Sequence, residues 1–124
     1  MEVIQTLIVL DTNVVLYFLG GRLANPLPSG KYFVSVITEI ELLSYPGLYS
    51  NEEVQISDFL KSVTIVGLES HIKELAITFR KQYKLRLPDA IIAATAQFLN
   101  ATLFTNDIKL NNLKDINTQS IEIV

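Results

Sequence analysis

The chain predicts an α/β fold of three layers, a central and mainly parallel sheet of about five strands with helices on both faces. Short aliphatic runs alternate along the sequence with segments of helical character. Those runs are continuously apolar, where strands with one wet face would alternate, so the strands are buried on both sides. Hydrophobic residues make up 49% of the 124 residues, charged residues 19%, and mean hydropathy is +0.34. A 13.9 kDa globule of this composition buries roughly two-thirds of its unfolded surface, so one domain spanning residues 1–124 is sufficient.

The elements follow in order. Leu7 to Leu10 is a strand that ends at Asp11-Thr12-Asn13, residue types that cap helices. Val14 to Leu19 is ambiguous by periodicity, but its Asp/Thr/Asn start and Gly20-Gly21 stop make it a short helix. Arg22 to Gly30, with Pro26 and Pro28, is a loop. Tyr32 to Val36 is a second strand, and Thr38 opens a helix to Leu43 that breaks at Pro46-Gly47. Ser50 and Glu53 have capping-box spacing and open a helix to about Lys61. Val63 to Val66 is a third strand. In the next helix Ile72, Leu75, Ala76, Phe79 and Tyr83 share one face, while Lys73, Glu74, Arg80, Lys81 and Lys84 lie elsewhere. Pro88 then starts a helix, Asp89 to Leu99, apolar nearly all round and therefore buried, with Asn100 as a left-handed cap. Thr102 to Thr105 is a fourth strand, an Asn-rich loop follows, and Ile121 to Val124 is a fifth.

Composition narrows the chemistry. The chain has no cysteine and one histidine, which excludes disulfides, thiol nucleophiles, Cys-ligated metals and paired-histidine catalysis. His71 reads as a surface residue without a catalytic role. Ten basic and thirteen acidic residues give net charge -3, the wrong sign for a protein that coats nucleic acid, so any such contact is local. Arg80, Lys81, Lys84 and Arg86 place four of the ten basic residues in seven positions just before Asp89. They could grip nucleic-acid phosphates, or simply form the solvated last turn of a helix. Lys109 and Lys114 are weaker candidates. The first ten residues carry no Lys or Arg, and the longest apolar runs, Val14 to Leu19 and Ala90 to Ala96, fall short of the roughly 18–20 residues that span a bilayer. A cytoplasmic protein with no membrane contact is expected.

In open parallel sheets the functional crevice lies beyond the carboxyl ends of the strands. Asp11 follows the first strand there and Asp107 the fourth, while Glu41 and Asp89 sit near helix starts that can point to the same end. Each has an ordinary structural reading: Asp11 as a helix cap, Glu41 as the capping-box partner of Thr38, Asp89 on a helix dipole, Asp107 in a turn. Four carboxylates gathered in a partly dry site repel one another unless a cation is present. Glu39 rivals Glu41, since two residues along a helix turn a side chain by about 200°.

These residues carry a resemblance. Leu-Asp-Thr-Asn at 10 to 13, Ser-Val-Ile-Thr-Glu-Ile-Glu-Leu at 35 to 42, Pro-Asp-Ala-Ile-Ile-Ala-Ala-Thr-Ala at 88 to 96 and Thr-Asn-Asp at 105 to 107 resemble the successive motifs of PIN domains. The similarity is to VapC-type toxins of bacterial and archaeal toxin–antitoxin pairs in particular. It implies a PIN-like fold and a Mg²⁺- or Mn²⁺-dependent endoribonuclease whose acids are Asp11, Glu41, Asp89 and Asp107. Asn13 and Thr105 match the accessory polar positions, and alignment through Ser35 and Thr38 selects Glu41 over Glu39. It further implies a homodimer and a cognate antitoxin docked in an apolar groove; Tyr17, Phe18, Leu19, Tyr45, Leu48 and Tyr49 are candidates for such a surface, though ordinary core packing accounts for most large apolar residues. The segment after Asp107 departs mildly from the family pattern, with Ile108 and Leu110 where an aromatic residue often stands.

All-carboxylate donors without a nearby histidine suit a hard cation such as Mg²⁺ better than zinc. The expected reaction is in-line attack on an RNA phosphodiester by metal-activated water. A receiver domain would need an acceptor aspartate after the third strand, where Gly67-Leu68-Glu69 stands. An aspartyl-nucleophile phosphatase would want an acid at Asn13, and a dinucleotide fold a Gly-rich turn after the first strand. The remaining alternative is a catalytically silent PIN-like module that binds RNA or protein.

Overall fold

A computed structural model describes residues 5–124; residues 1–4, the start of the stretch read above for targeting, lie outside it. The elements run β1 (Leu7–Leu10), α1 (Thr12–Leu19), β2 (Lys31–Ser35), α2 (Val36–Leu43), α3 (Ser50–Ser62), β3 (Thr64–Val66), α4 (Ser70–Tyr83), α5 (Leu87–Leu99), β4 (Thr102–Phe104), α6 (Ile108–Asn111) and β5 (Asn117–Gln119). The five strands form one sheet in the order β3-β2-β1-β4-β5, and every neighbouring pair is parallel.

Side chains on a strand point alternately to opposite faces, and each face of this sheet meets its own helices. Ile8 and Leu10 of β1, Val34 of β2 and Phe104 of β4 pack with α1, Leu42 of α2 and Ile56, Phe59 and Leu60 of α3. Val9, Phe33 and Leu103, their neighbours in sequence, pack on the other face against Ile72, Ala76 and Phe79 of α4 and the apolar face of α5. Two buried faces explain why these strands read as unbroken apolar runs. On α5 every residue from Ala90 to Ala96 is buried, in keeping with its predicted place in the core.

The order of the strands locates the crevice. The chain steps from β1 to β2 to β3 in one direction, then returns to lay β4 and β5 on the other edge of β1. The carboxyl ends of β1 and β4 therefore flank the topological switch point.

Several boundaries differ from expectation. Ser35, buried at the end of β2, caps α2 by accepting from the Ile37 amide at 3.1 Å, so Val36 is helical and Thr38 already lies inside the helix. The capping box of α3 sits one residue earlier than Ser50 and Glu53: Glu52 accepts from the Tyr49 amide at 3.0 Å. The loop after Asp107 contains the single-turn α6.

The fifth strand is Asn117–Gln119 and not Ile121 to Val124. An edge strand is half exposed and can be polar, so apolar content misleads there. The Asn106 side chain pairs with both backbone groups of Ile121, at 2.7 and 2.9 Å, and caps off the ladder. Beyond it the chain turns away to the loop after α1, where Leu23 and Ile123 form an antiparallel bridge. Asn100 takes the left-handed conformation expected of it, and Lys84 does so unexpectedly, with φ of 54°.

Candidate active site

Each of the four acids comes from a different element and all four line one cleft of about 180 Å³ at the switch point, with Thr12, Asn13, Leu16, Tyr45, Arg86 and Ile92. Asp11 is delivered by the end of β1, Glu41 by α2, Asp89 by the first turn of α5, and Asp107 by the turn after β4. Glu39 does not line this cleft.

Two threonines tie the acids into a chain. Thr105, fully buried after β4, donates its hydroxyl to Asp11 Oδ2 at 2.6 Å and accepts from the Asp107 amide at 3.0 Å. Thr12 donates its amide to Asp11 Oδ1 at 2.8 Å and its hydroxyl to Glu41 Oε1 at 2.7 Å. The sequence of contacts is thus Glu41, Thr12, Asp11, Thr105, Asp107. Thr38, also fully buried, stands 2.9 Å behind the Thr12 hydroxyl.

The structural readings of these acids divide. Asp11 is the N-cap of α1, as its sequence context suggested, but only through Oδ1; the other oxygen is taken by Thr105. Asp107 does cap α6, with Oδ1 accepting from the amides of Lys109 and Leu110 at 2.8 and 3.3 Å. Glu41 is not the capping partner of Thr38, because Ser35 is the cap of α2. Thr38 and Glu41 stand three residues apart and share a helix face, with the Thr12 hydroxyl between them.

Burial and mutual repulsion act on the acids directly. Removal from water pushes the Asp11 carboxyl above the ordinary range; the bonds from Thr105 and Thr12 oppose this, and the charges of Asp89 and Asp107 add to it. Asp89 is also pushed up, first by partial burial, then by Asp107 and Glu41, against the opposing charge of Arg86. At both carboxyls burial is the larger cause and the neighbouring acids add to it. The donors are all hard oxygens on separate backbone supports, which suits Mg²⁺ or Mn²⁺. Among the described residues no three acids or histidines are already gathered into a metal-holding arrangement. Each carboxylate instead leans on its own partner, as like charges do without a counter-ion.

The basic cluster does not act as one patch. Arg80 spends its Nε on the Leu85 carbonyl at 3.2 Å, and Lys84 forms the left-handed end of α4. Arg86 alone lines the cleft, its side chain 82% exposed and its Nε 3.6 Å from Asp89 Oδ2. His71 is exposed and stacks on Phe98. Among the candidate partner-surface residues, Phe18, Tyr45 and Tyr49 are exposed, while Leu19 and Leu48 pack against the core.

Sequence reasoning missed Thr12 and Thr38 as site residues. In sequence Thr12 is one of a capping triplet and Thr38 a helix start, and only the packing of α1 on α2 brings them together.

No curated protein sequence matches the chain. Among solved structures it is similar to a toxin–antitoxin complex from Klebsiella pneumoniae, with 28% identity over 87% of this chain and 93% of that one and a TM-score of 0.72. It is also similar to VapBC2 from Rickettsia felis bound to a promoter DNA fragment, at 19% identity, 94% and 100% coverage and a TM-score of 0.79. VapBC-1 from nontypeable Haemophilus influenzae matches at 22% identity, 93% and 98% coverage and a TM-score of 0.74. A family model of the PIN domain matches residues 8–116, covering β1 from Ile8, all of β2, β3 and β4, and all four acids. The chain belongs to the PIN domain family.

Proposed function

We propose that this chain, as one PIN-like unit of residues 1–124, is a Mg²⁺- or Mn²⁺-dependent endoribonuclease and the VapC-type toxin of a toxin–antitoxin pair. The observation that carries the reading is the convergence of Asp11, Glu41, Asp89 and Asp107 from four elements on one cleft at the switch point. Asp11 and Asp89 would be the main ligands of the ion, with Glu41 and Asp107 completing the site directly or through water. A divalent ion held there by Asp11, Asp89, Glu41 and Asp107 would supply Lewis-acid polarisation of a phosphate and lower the pKa of a bound water.

The chain's own residues do the rest. Thr12 and Thr105 hold Asp11 by both oxygens, so its carboxylate has one orientation. Asn13, exposed on the cleft wall, can hydrogen-bond a phosphate oxygen or a water. Arg86 offers RNA a cation at the cleft mouth, with Lys84 and Arg80 farther along the same stretch. Exposed Ile40, Leu43, Tyr45 and Tyr49 on and after α2 support an antitoxin that covers an apolar surface and reaches the acids past Tyr45. The family resemblance adds a homodimer in the cytoplasm; among the described residues no helix is long and apolar enough to cross a membrane.

A second reading, a catalytically silent PIN-like module, draws support from Arg86, whose Nε stands 3.6 Å from Asp89 Oδ2 and answers that carboxylate's charge without an ion. Incubation with a panel of structured RNAs, with and without Mg²⁺ or Mn²⁺, separates the two. Cleavage that needs the ion and vanishes in Asp11→Asn supports the enzyme; RNA binding without cleavage under any metal supports the module.

A further inference from the structure

We infer that Thr12 and Thr38 form a two-hydroxyl relay of fixed polarity that positions Glu41 for the cation, an inference that rests on reading the four acids as one cation site. The direction of the relay follows from counting protons. A hydroxyl has one proton to donate, and Thr12 gives its own to the Glu41 carboxylate at 2.7 Å. The 2.9 Å contact between Thr12 Oγ1 and Thr38 Oγ1 can then be made only if Thr38 donates. Thr38 is 0% exposed and Thr12 8%, so water does not substitute for the bond between the two hydroxyls.

Glu41 needs such a device more than its neighbours do. Asp11 sits on a short side chain gripped at both oxygens, and Asp107 is fixed by the helix it caps. Glu41 has one more rotatable bond and, among the described residues, one hydrogen bond, from Thr12. Its carboxylate would otherwise swing away from the excess negative charge of the cleft. Thr12 also donates its amide to Asp11, so a single residue at the start of α1 sets the spacing between two acids from different elements. Thr12 and Thr38 are positioning residues: Thr12 touches two acids, Thr38 touches Thr12, and neither touches the reacting atoms.

The test compares wild-type protein with Thr12→Val, Thr12→Ser and the double variant Thr12→Val/Thr38→Val. Thr12→Val alone strands the buried Thr38 hydroxyl and can weaken the fold, whereas the double variant removes both partners and leaves no orphaned donor. In metal-free protein, side-chain scalar couplings report whether Glu41 holds one rotamer; titration with Mn²⁺, followed by electron paramagnetic resonance of the free ion, reports affinity. The relay predicts averaged Glu41 couplings and a loss of about tenfold in Mn²⁺ affinity for both valine variants, with Thr12→Ser close to wild type in each. Wild-type couplings in both valine variants overturn the relay whatever the metal does. Averaged couplings with undiminished affinity overturn its bearing on the ion, and failure of serine to restore either overturns the hydroxyl as the agent. Wild-type protein that binds no Mn²⁺ sinks the cation site and the relay's purpose with it, a failure distinguishable because the couplings are read without metal.

Discussion

The two halves of the acidic cleft are held in opposite ways. On the β1 and α2 side, Asp11 is 6% exposed and Glu41 half-buried, and both are bonded by neutral threonine donors that stay put. On the α5 and α6 side, Asp89 faces a solvent-exposed arginine and Asp107 caps a single turn of helix. The first half holds its charge with neutral donors, whereas in the second Asp89, itself pushed up by partial burial, meets an exposed guanidinium at 3.6 Å and Asp107 spends one oxygen on the amides of α6. A site divided in this way has a rigid anchor and an adjustable rim.

The largest effect belongs to the anchor. Asp11→Asn is expected to lower ion-dependent RNA cleavage by about 100-fold or more, the scale of losing several kcal/mol of transition-state stabilisation. Its metal-free stability at pH 7 should fall modestly, because the amide relieves a buried charge repelled by Asp89 and Asp107 but presents a donor where the buried Thr105 hydroxyl needs an acceptor. Thermal unfolding without metal checks this, and a midpoint at or above wild type would show that relief of the buried charge outweighs the lost acceptor.

The pH dependence has the same origin. Burial raises the Asp11 carboxyl in the folded state above its unfolded value near 3.8, so the folded protein binds this proton more tightly. Its contribution to stability is present below the unfolded pKa and is lost as pH rises through the raised folded one. Wild-type protein titrated upward from acid should show this loss, and Asp11→Asn should lack it. Stabilisation by Mg²⁺ runs the other way and declines toward acid pH as protons compete for the carboxylate.

On the rim, Asp107 separates structure from chemistry. Asp107→Ala should cost about 1 kcal/mol by uncapping α6, while Asp107→Asn keeps an acceptor for the Lys109 amide and should cost little. Both should weaken the response to Mn²⁺; equal stability of the two variants would refute the capping role. The smallest effect is at Arg86. With its side chain 82% exposed, Arg86→Ala should change stability by less than about 0.5 kcal/mol. It should reduce the salt dependence of RNA binding by about one ion and leave Asp89 more open to the divalent ion. An unchanged salt slope would place Arg86 outside the RNA path.

The same division explains what could be read from sequence. Residues with buried apolar neighbours announced themselves: β1, the amphipathic α4 and the all-apolar α5 follow from periodicity, because the hydrophobic effect acts on each element in turn. The acids were legible by position, since Asp11 and Asp107 follow strands and a parallel sheet opens at that end. Thr12 and Thr38 were not, because a threonine beside a helix start has a sufficient local reason to be there. Their contact spans 26 residues and depends on how α1 docks on α2, which no local pattern encodes. β5 escaped for a related reason: its pairing is backbone to backbone, and the polar side chains of Asn117 to Gln119 carry no trace of it.

The central claim is that four acids on two unlike supports make one cation site. Its most direct measurement is the unfolding midpoint of wild-type and Asp11→Asn protein across a Mg²⁺ and Mn²⁺ titration at pH 7. An ion that binds the folded state alone stabilises it by about 2.7 kcal/mol at a hundred times its dissociation constant. The midpoint is expected to climb with either ion in wild type and to stay flat in Asp11→Asn. A flat wild-type response at millimolar metal, or an equal rise in both proteins, would contradict it.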